Sequence, residues 1–204
     1  MVTIVHVDTI DSTNNWCKAH ADKLPVAVAA KEQSQGRGRY GRSFYSPAGS
    51  GVYMSYAFRG KYAADDVQLL TVVAAAAVHQ VLQRHSSDEL AIKWVNDIYR
   101  NGRKIAGILC ERVDLVNDPD NYYIIIGVGV NVIPCEVPSE LSDIIGFLYD
   151  DASLSPSTDE IAEELIAALD KALGAGSSDI TSLTEYISYY RDRCFNIPND
   201  CVII

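Results

Sequence analysis

The chain has 204 residues, 48% hydrophobic and 22% charged, with a formal net charge of −10 and a pI near 4.7. That length supports one sizeable domain with at most a small appendage. The acidic balance argues against a nucleic-acid binder, which needs a basic face for phosphate contacts, and no apolar run is long enough to span a bilayer. The five cysteines, Cys17, Cys110, Cys135, Cys194 and Cys201, are odd in number and none shows C-x-x-C spacing. A disulfide framework or zinc site is therefore not expected, and the expected compartment is a reducing cytoplasm. The N-terminal stretch MVTIVHVDTIDSTNN lacks a basic region followed by an apolar core, so no signal peptide is expected.

In chain order, residues 3–8 alternate as a strand. Residues 11–22 predict a short helix with Asp11, Ser12 or Thr13 as N-cap. Residues 26–32 and 51–58 predict strands. Residues 63–85 give the clearest helix, with Asp65 and Asp66 in its first turn, Arg84 and His85 in its last, and a stripe of Leu70, Ala74, Val78 and Leu82. Residues 90–95 predict a strand that Lys93, Asn96 and Asp97 close. Asn101-Gly102 predicts a hairpin turn, with Lys104 at the start of the next strand. Residues 122–132, apolar on both faces, predict a central strand. Residues 157–174 predict a helix opened by a Ser157–Glu160 capping box and ended at Gly174. Residues 179–194 predict a second amphipathic helix, and 200–204 the start of an apolar strand. This order is mixed α+β, not the alternation of a doubly wound fold.

Three constellations carry chemistry. Residues 36–42 read GRGRYGR, and Gly36, Gly38 and Gly41 match the dinucleotide fingerprint G-x-G-x-x-G. That fingerprint needs a helix opening at the glycines, and Pro47, Gly49 and Gly51 forbid one. The remaining readings are a solvated loop or a flexible loop whose arginines, Arg37, Arg39 and Arg42, clamp one anion. In KWVNDI (93–98) and RKIAGILCE (103–111), Lys93 and Lys104 can join the arginines on that anion, or can be edge lysines of a hairpin. Asp97 can hold magnesium or orient a lysine. In GVGVN (127–131), the glycines can serve close packing or let a flat ligand lie against the backbone, with Asn131 at the strand end.

Taken in order, DSTN (11–14), GRGRYGR, KWVNDI, RKIAGILCE and GVGVNV resemble a biotin–protein ligase over nearly the whole chain. The resemblance implies a mixed β-sheet flanked by helices, akin to the catalytic core of class II aminoacyl-tRNA synthetases. It implies activation of biotin by MgATP to biotinyl-5′-AMP, then transfer to one lysine of a biotin carboxyl carrier protein. It assigns Ser12, Thr13, Asn14, Gln33, Gly36, Arg37, Gly38, Arg39, Lys104, Gly127 and Gly129 to biotin. It assigns Arg39, Arg42, Lys93, Asn96, Asp97 and Asn131 to ATP, with Asp97 a magnesium candidate and Lys104 and Arg39 the catalytic pair. The arginine loop, about 35–46, is expected to be mobile until an anion orders it, with Val137 and Leu141 packing over the adenine side.

The same resemblance implies a catalytic domain over 1–198, with 199–204 a stub of a missing C-terminal SH3-like domain and no N-terminal DNA-binding domain. It departs at Val95, where the family more often has proline. A homodimer is expected, with neither DNA nor membrane as partner. The rival readings are a lipoate or octanoate ligase of the same fold and a non-catalytic binder of biotin or biotinyl-AMP.

Overall fold

The computed structural model describes residues 2–59, 67–115, 118–174 and 180–197. Asp65, Asp66 and the expected terminal strand at 200–204 lie outside the described residues. The elements are β1 (Thr3–Ile10), α1 (Thr13–Ala19), β2 (Val26–Gln33), β3 (Gly51–Arg59), α2 (Val67–Arg84), β4 (Leu90–Lys93), β5 (Asp97–Arg100), β6 (Arg103–Leu115), β7 (Asp118–Asn131), α3 (Thr158–Leu173), α4 (Ile180–Arg193) and β8 (Cys194–Phe195). Among the described residues they form one mixed sheet ordered β1-β2-β3-β7-β6-β5-β4-β8. The outermost pairs, β1–β2 and β4–β8, are parallel and the inner pairs antiparallel. Strand β7 is central, as its two apolar faces require.

Side chains alternate across the two faces. Ala27, Tyr56, Phe58, Ile124 and Ile126 pack with α2, α3 and α4 in the main core. Val26, Val28, Ala57, Tyr123 and Ile125 point the other way, onto Cys17 of α1. The register pairs Ser55 with Gly127, and Leu109 with Gly127 and Gly107 with Gly129. These positions therefore share the face that the three long helices leave open.

Helix α2 is not the one-striped helix its sequence predicts. Leu70 to Val78 is buried without a break, because the sheet takes one side while α3 and α4 take the others. The Ser157–Glu160 capping box forms in both directions. Helix α3 ends at Gly174 with an ordinary φ of −65°. Glycine is needed there for space, since a Cβ would run into the Asp170 side chain. Asp170 in turn accepts a 2.6 Å hydrogen bond from the hydroxyl of fully buried Tyr56. Tyr56→Phe should cost about 1.5–3 kcal/mol, the worth of a hydrogen bond to a charged group. The melting midpoint should fall by roughly 3–10 °C on the scale for domains of this size; an unchanged midpoint would show that the bond adds nothing.

The expected strand at 90–95 is two residues shorter. Strand β4 stops at Lys93, a tight turn follows, and Asp97 opens β5 opposite Lys93. The turn folds back because Asn96 binds β6 from both ends. Its Nδ2 donates to the Ile108 carbonyl at 2.7 Å, and its own carbonyl accepts from the Ile108 N–H at 2.9 Å. The Asn101-Gly102 turn has both residues at positive φ, 50° and 78°, as a type I′ turn demands.

Candidate active site

A cavity of about 330 Å³ opens on the sheet face left free by α2–α4. Its lining carries five cations, Arg37, Arg39, Arg42, Lys93 and Lys104, against one carboxylate, Asp97. In a chain of net charge −10 this local excess of positive charge marks an anion site. Another part of the lining is neutral and polar, Ser12, Thr13, Asn14 and Gln33, and of the five cations Arg37 lies beside it, bonded to Asn15 and facing Glu111.

That polar end is organised from α1. Ser12 takes the N-cap position without a side-chain cap bond, while Asp11 accepts from Asn15 at 2.7 Å. Gln33 Oε1 accepts from the Thr13 N–H at 2.9 Å and its hydroxyl at 3.1 Å, and Gln33 Nε2 donates to Ser46 at 3.0 Å. Buried Ser55 bridges Thr13 and Asn14, with Oγ 2.8 and 2.6 Å from their oxygens. Asn14 Nδ2 donates to Glu111 at 2.7 Å. A Cβ at Gly127 would overlap the Asn14 carboxamide, and one at Gly129 the Phe44 ring. Protein side chains thus occupy the space that the missing Cβ atoms leave, and both glycines also line the cavity.

The arginine loop is a hairpin-like excursion. The Phe44 N–H donates to the Gly36 carbonyl at 2.9 Å, and the Gly38 N–H to the Arg42 carbonyl at 2.7 Å. The turn runs through Tyr40 and Gly41, both at positive φ, 55° and 73°. No α-helix opens at these glycines, which disposes of the dinucleotide fingerprint. The three arginines all line the cavity but have different protein surroundings. Arg37 lies 3.3 Å from Glu111 and donates to Asn15 at 3.2 Å. Arg39 donates to Asn96 Oδ1 at 3.4 Å and to the Tyr40 hydroxyl at 3.1 Å. Arg42 is exposed. Tyr45 ties the base of the loop to the 134–141 segment by donating to the Glu136 carbonyl at 3.2 Å, and Val137 and Leu141 in that segment are half-buried.

Lys104 owes its direction to a bulge. The β5–β6 register shifts between Ile98 and Tyr99, a device that re-aims side chains. Its ammonium crosses Gly107, where a Cβ would come 3.1 Å from Nζ, and reaches Asp97 at 2.7 Å. Asn131 does not line the cavity; its Nδ2 donates to the Lys104 carbonyl at 3.3 Å. Gly36 also lies outside the lining. Lys93 donates to the Tyr99 hydroxyl at 3.3 Å. Asp97, the only lining carboxylate, is paired with Lys104, and no group of three metal-ligating side chains occurs among the described residues. These residues do not fit a resident magnesium ion, which prefers several free oxygen ligands.

Glu111 was not legible as a site residue, although it ends RKIAGILCE. It accepts from Asn14, from Lys18 at 2.9 Å, and faces Arg37. Burial pushes its carboxyl up, but the hydrogen bonds from Asn14 and Lys18 and the charges of Lys18 and Arg37 prevail, and its pKa ends below the ordinary value. It is therefore ionised at neutral pH. The thiol of Cys17 is pushed up to about 12 by burial, so it supplies no thiolate.

Residues 7–131, which carry every residue lining the cavity, match the biotin/lipoate A/B protein ligase family. The chain belongs to that family. Among similar members, the Escherichia coli bifunctional ligase/repressor BirA is 29% identical over 205 residues, covering 98% of this chain and 63% of the relative. The biotin–[acetyl-CoA-carboxylase] ligase of Paracoccus denitrificans is 39% identical over 128 residues, 60% of this chain and 51% of that protein. The chain thus spans less than two thirds of these relatives' length. The biotin protein ligase of Aquifex aeolicus, solved in complex with biotin and ATP, superposes with a TM-score of 0.81 at 25% identity, covering 97% of this chain and 80% of that one. The mixed sheet flanked by helices is thus the fold of biotin protein ligases.

Proposed function

We propose that the chain is the catalytic domain of an ATP-dependent biotin–protein ligase. The observation that carries this reading is the lining of one cavity by both a neutral polar group, Thr13, Asn14 and Gln33, and a cationic group, Arg39, Lys93 and Lys104. Biotin has that polarity, a neutral urea at one end and a carboxylate at the other. The Aquifex aeolicus neighbour, solved with biotin and ATP, supports it. In the first half-reaction the biotin carboxylate attacks the α-phosphorus of ATP, and pyrophosphate leaves with the electrons of the broken P–O bond. Two such anions at ~4 Å and an effective dielectric near 20 repel by roughly 4 kcal/mol. Lys104 and Arg39 offset that repulsion and stabilise the charge that builds on the phosphoryl oxygens. In the second, a carrier lysine amine attacks the acyl carbonyl, AMP leaves, and the amine loses its proton. Gly36, Asn96 and Asn131 serve by holding the backbone, Arg39 and Lys104. Magnesium enters with the triphosphate.

Within this reading residues 1–198 are the catalytic domain, the acceptor is a biotin carboxyl carrier protein, the compartment is the cytoplasm, and the assembly is a homodimer. The test is exchange of labelled pyrophosphate into ATP. Biotin should support it, and the amides of residues 35–46 should exchange more slowly when biotin is added. Exchange driven by lipoate or octanoate instead would identify the other branch of the family. Biotin binding without exchange would identify a non-catalytic binder.

A further inference from the structure

We infer that Glu111 is a positioning residue that couples the arginine loop to the polar end of the cavity; this rests on the biotin-ligase reading. Glu111 does not line the cavity. Its side chain is 19% exposed and stands on β6, beside Ile125 of β7. One oxygen takes the Asn14 amide at 2.7 Å. The other takes Lys18 at 2.9 Å and faces Arg37 at 3.3 Å. Asn14 and Lys18 are four residues apart on α1, hence on one helix face. A single carboxylate thus ties α1 and the loop to the same point of the sheet.

The tie has a chemical consequence at the ligand. An ionised carboxylate only accepts hydrogen bonds, so it turns the Asn14 Nδ2 toward itself and the Oδ1 toward Ser55. The remaining amide proton and lone pair of Asn14 are thereby aimed in one fixed sense at a bound urea. The same carboxylate holds Arg37, and with it the first strand of the loop, which pairs Arg37 with Ser43. A ligand that locks Asn14 sharpens the Glu111 site that Arg37 must find, and a closed loop stiffens Asn14 in return. Structural neighbours such as Leu109 and Gly127 can contribute shape here, but neither touches both elements through charge.

Glu111→Gln keeps an acceptor for Asn14 and removes the charge that Lys18 and Arg37 see. It should raise the biotin KM about tenfold, the loss of a contact of ordinary charged strength, with the ATP KM and kcat changed far less. Without ligand, tryptic cleavage after Arg37, Arg39 and Arg42 should be several-fold faster than in wild type, and biotin should protect the loop poorly. Glu111→Asp should recover part of both effects. In a double-mutant cycle, Arg37→Gln added to Glu111→Gln should cost little more than either alone. Arg37→Gln by itself should also speed cleavage after Arg39 and Arg42, which keeps the inference testable if Glu111→Gln does not fold. Equal cleavage rates without ligand, additive costs in the cycle, or equal rises in both KM values with a lower melting midpoint would each overturn the inference. Failure of wild type to exchange pyrophosphate with biotin would sink the ligase reading instead, while the ligand-free cleavage ratio still decides on Glu111.

Discussion

Lys104→Ala and Arg39→Ala are each expected to slow adenylate formation by at least ~10²-fold, the scale of removing one group that stabilises developing charge. Lys104→Ala should be the worse of the two. The reason is Asp97, whose carboxylate Lys104 neutralises at 2.7 Å. Take the ammonium away, and a half-buried negative charge is left facing two anionic substrates in a cavity with no other carboxylate among its described lining residues. Asp97→Asn in the Lys104→Ala background should therefore recover roughly tenfold, about 1.4 kcal/mol. Rates of biotin-dependent pyrophosphate exchange measure all of this. Near-normal exchange in Lys104→Ala, or no recovery in the double variant, would show that Asp97 and Lys104 do not act as described.

A methyl group at the centre of the sheet should be nearly as damaging. In Gly127→Ala the new Cβ overlaps the Asn14 carboxamide, and neighbouring backbone cannot give way in a strand paired on both sides. Asn14 must swing out and give up its hydrogen bonds to Ser55 and Glu111, although Thr13 still holds Ser55 and Lys18 and Arg37 still face Glu111. Losing the bond to the charged Glu111 alone costs about 1.5–3 kcal/mol. The biotin KM should rise about 10–100-fold, while the ATP KM, set at the other end of the cavity, should stay within a few-fold. Titrating both substrates in the exchange assay separates the two. Equal increases would mean that the substitution disturbs the sheet as a whole and not the polar end.

Much of the chain was readable locally. Asn101-Gly102 demanded a type I′ hairpin, and the hairpin is there with both residues at positive φ. Ser157 and Glu160 announced a capping box that forms in both directions. The GRGRYGR stretch could be denied an α-helix on the strength of Pro47 and the later glycines, and only a single 3-10 turn, Arg39–Gly41, forms there. Each of these rests on turn chemistry or on contacts within a few residues, which sequence spacing encodes directly. The misreadings are of a different kind. Residues 94 and 95 looked like a continuation of the strand because nothing local shows Asn96 binding Ile108 twelve residues on. Helix α2 looked one-striped because periodicity cannot count how many neighbours a helix will have.

What the sequence determined by itself was most of the elements, a cationic loop barred from an α-helix, and the family whose motifs it carries. Those depend on backbone propensity, turn residues and ordered motifs, all written along the chain. Which groups become partners was decided only by the tertiary structure. The strand order β3-β7-β6 brings Asn14 to Glu111 across 97 positions. A bulge swings Lys104 over Gly107 onto Asp97, and the pleat places Gly127 and Gly129 under Asn14 and Phe44. Directional contacts between charged or amide groups depend on separations of a few ångströms, and a linear pattern does not specify such separations until the sheet has set its register.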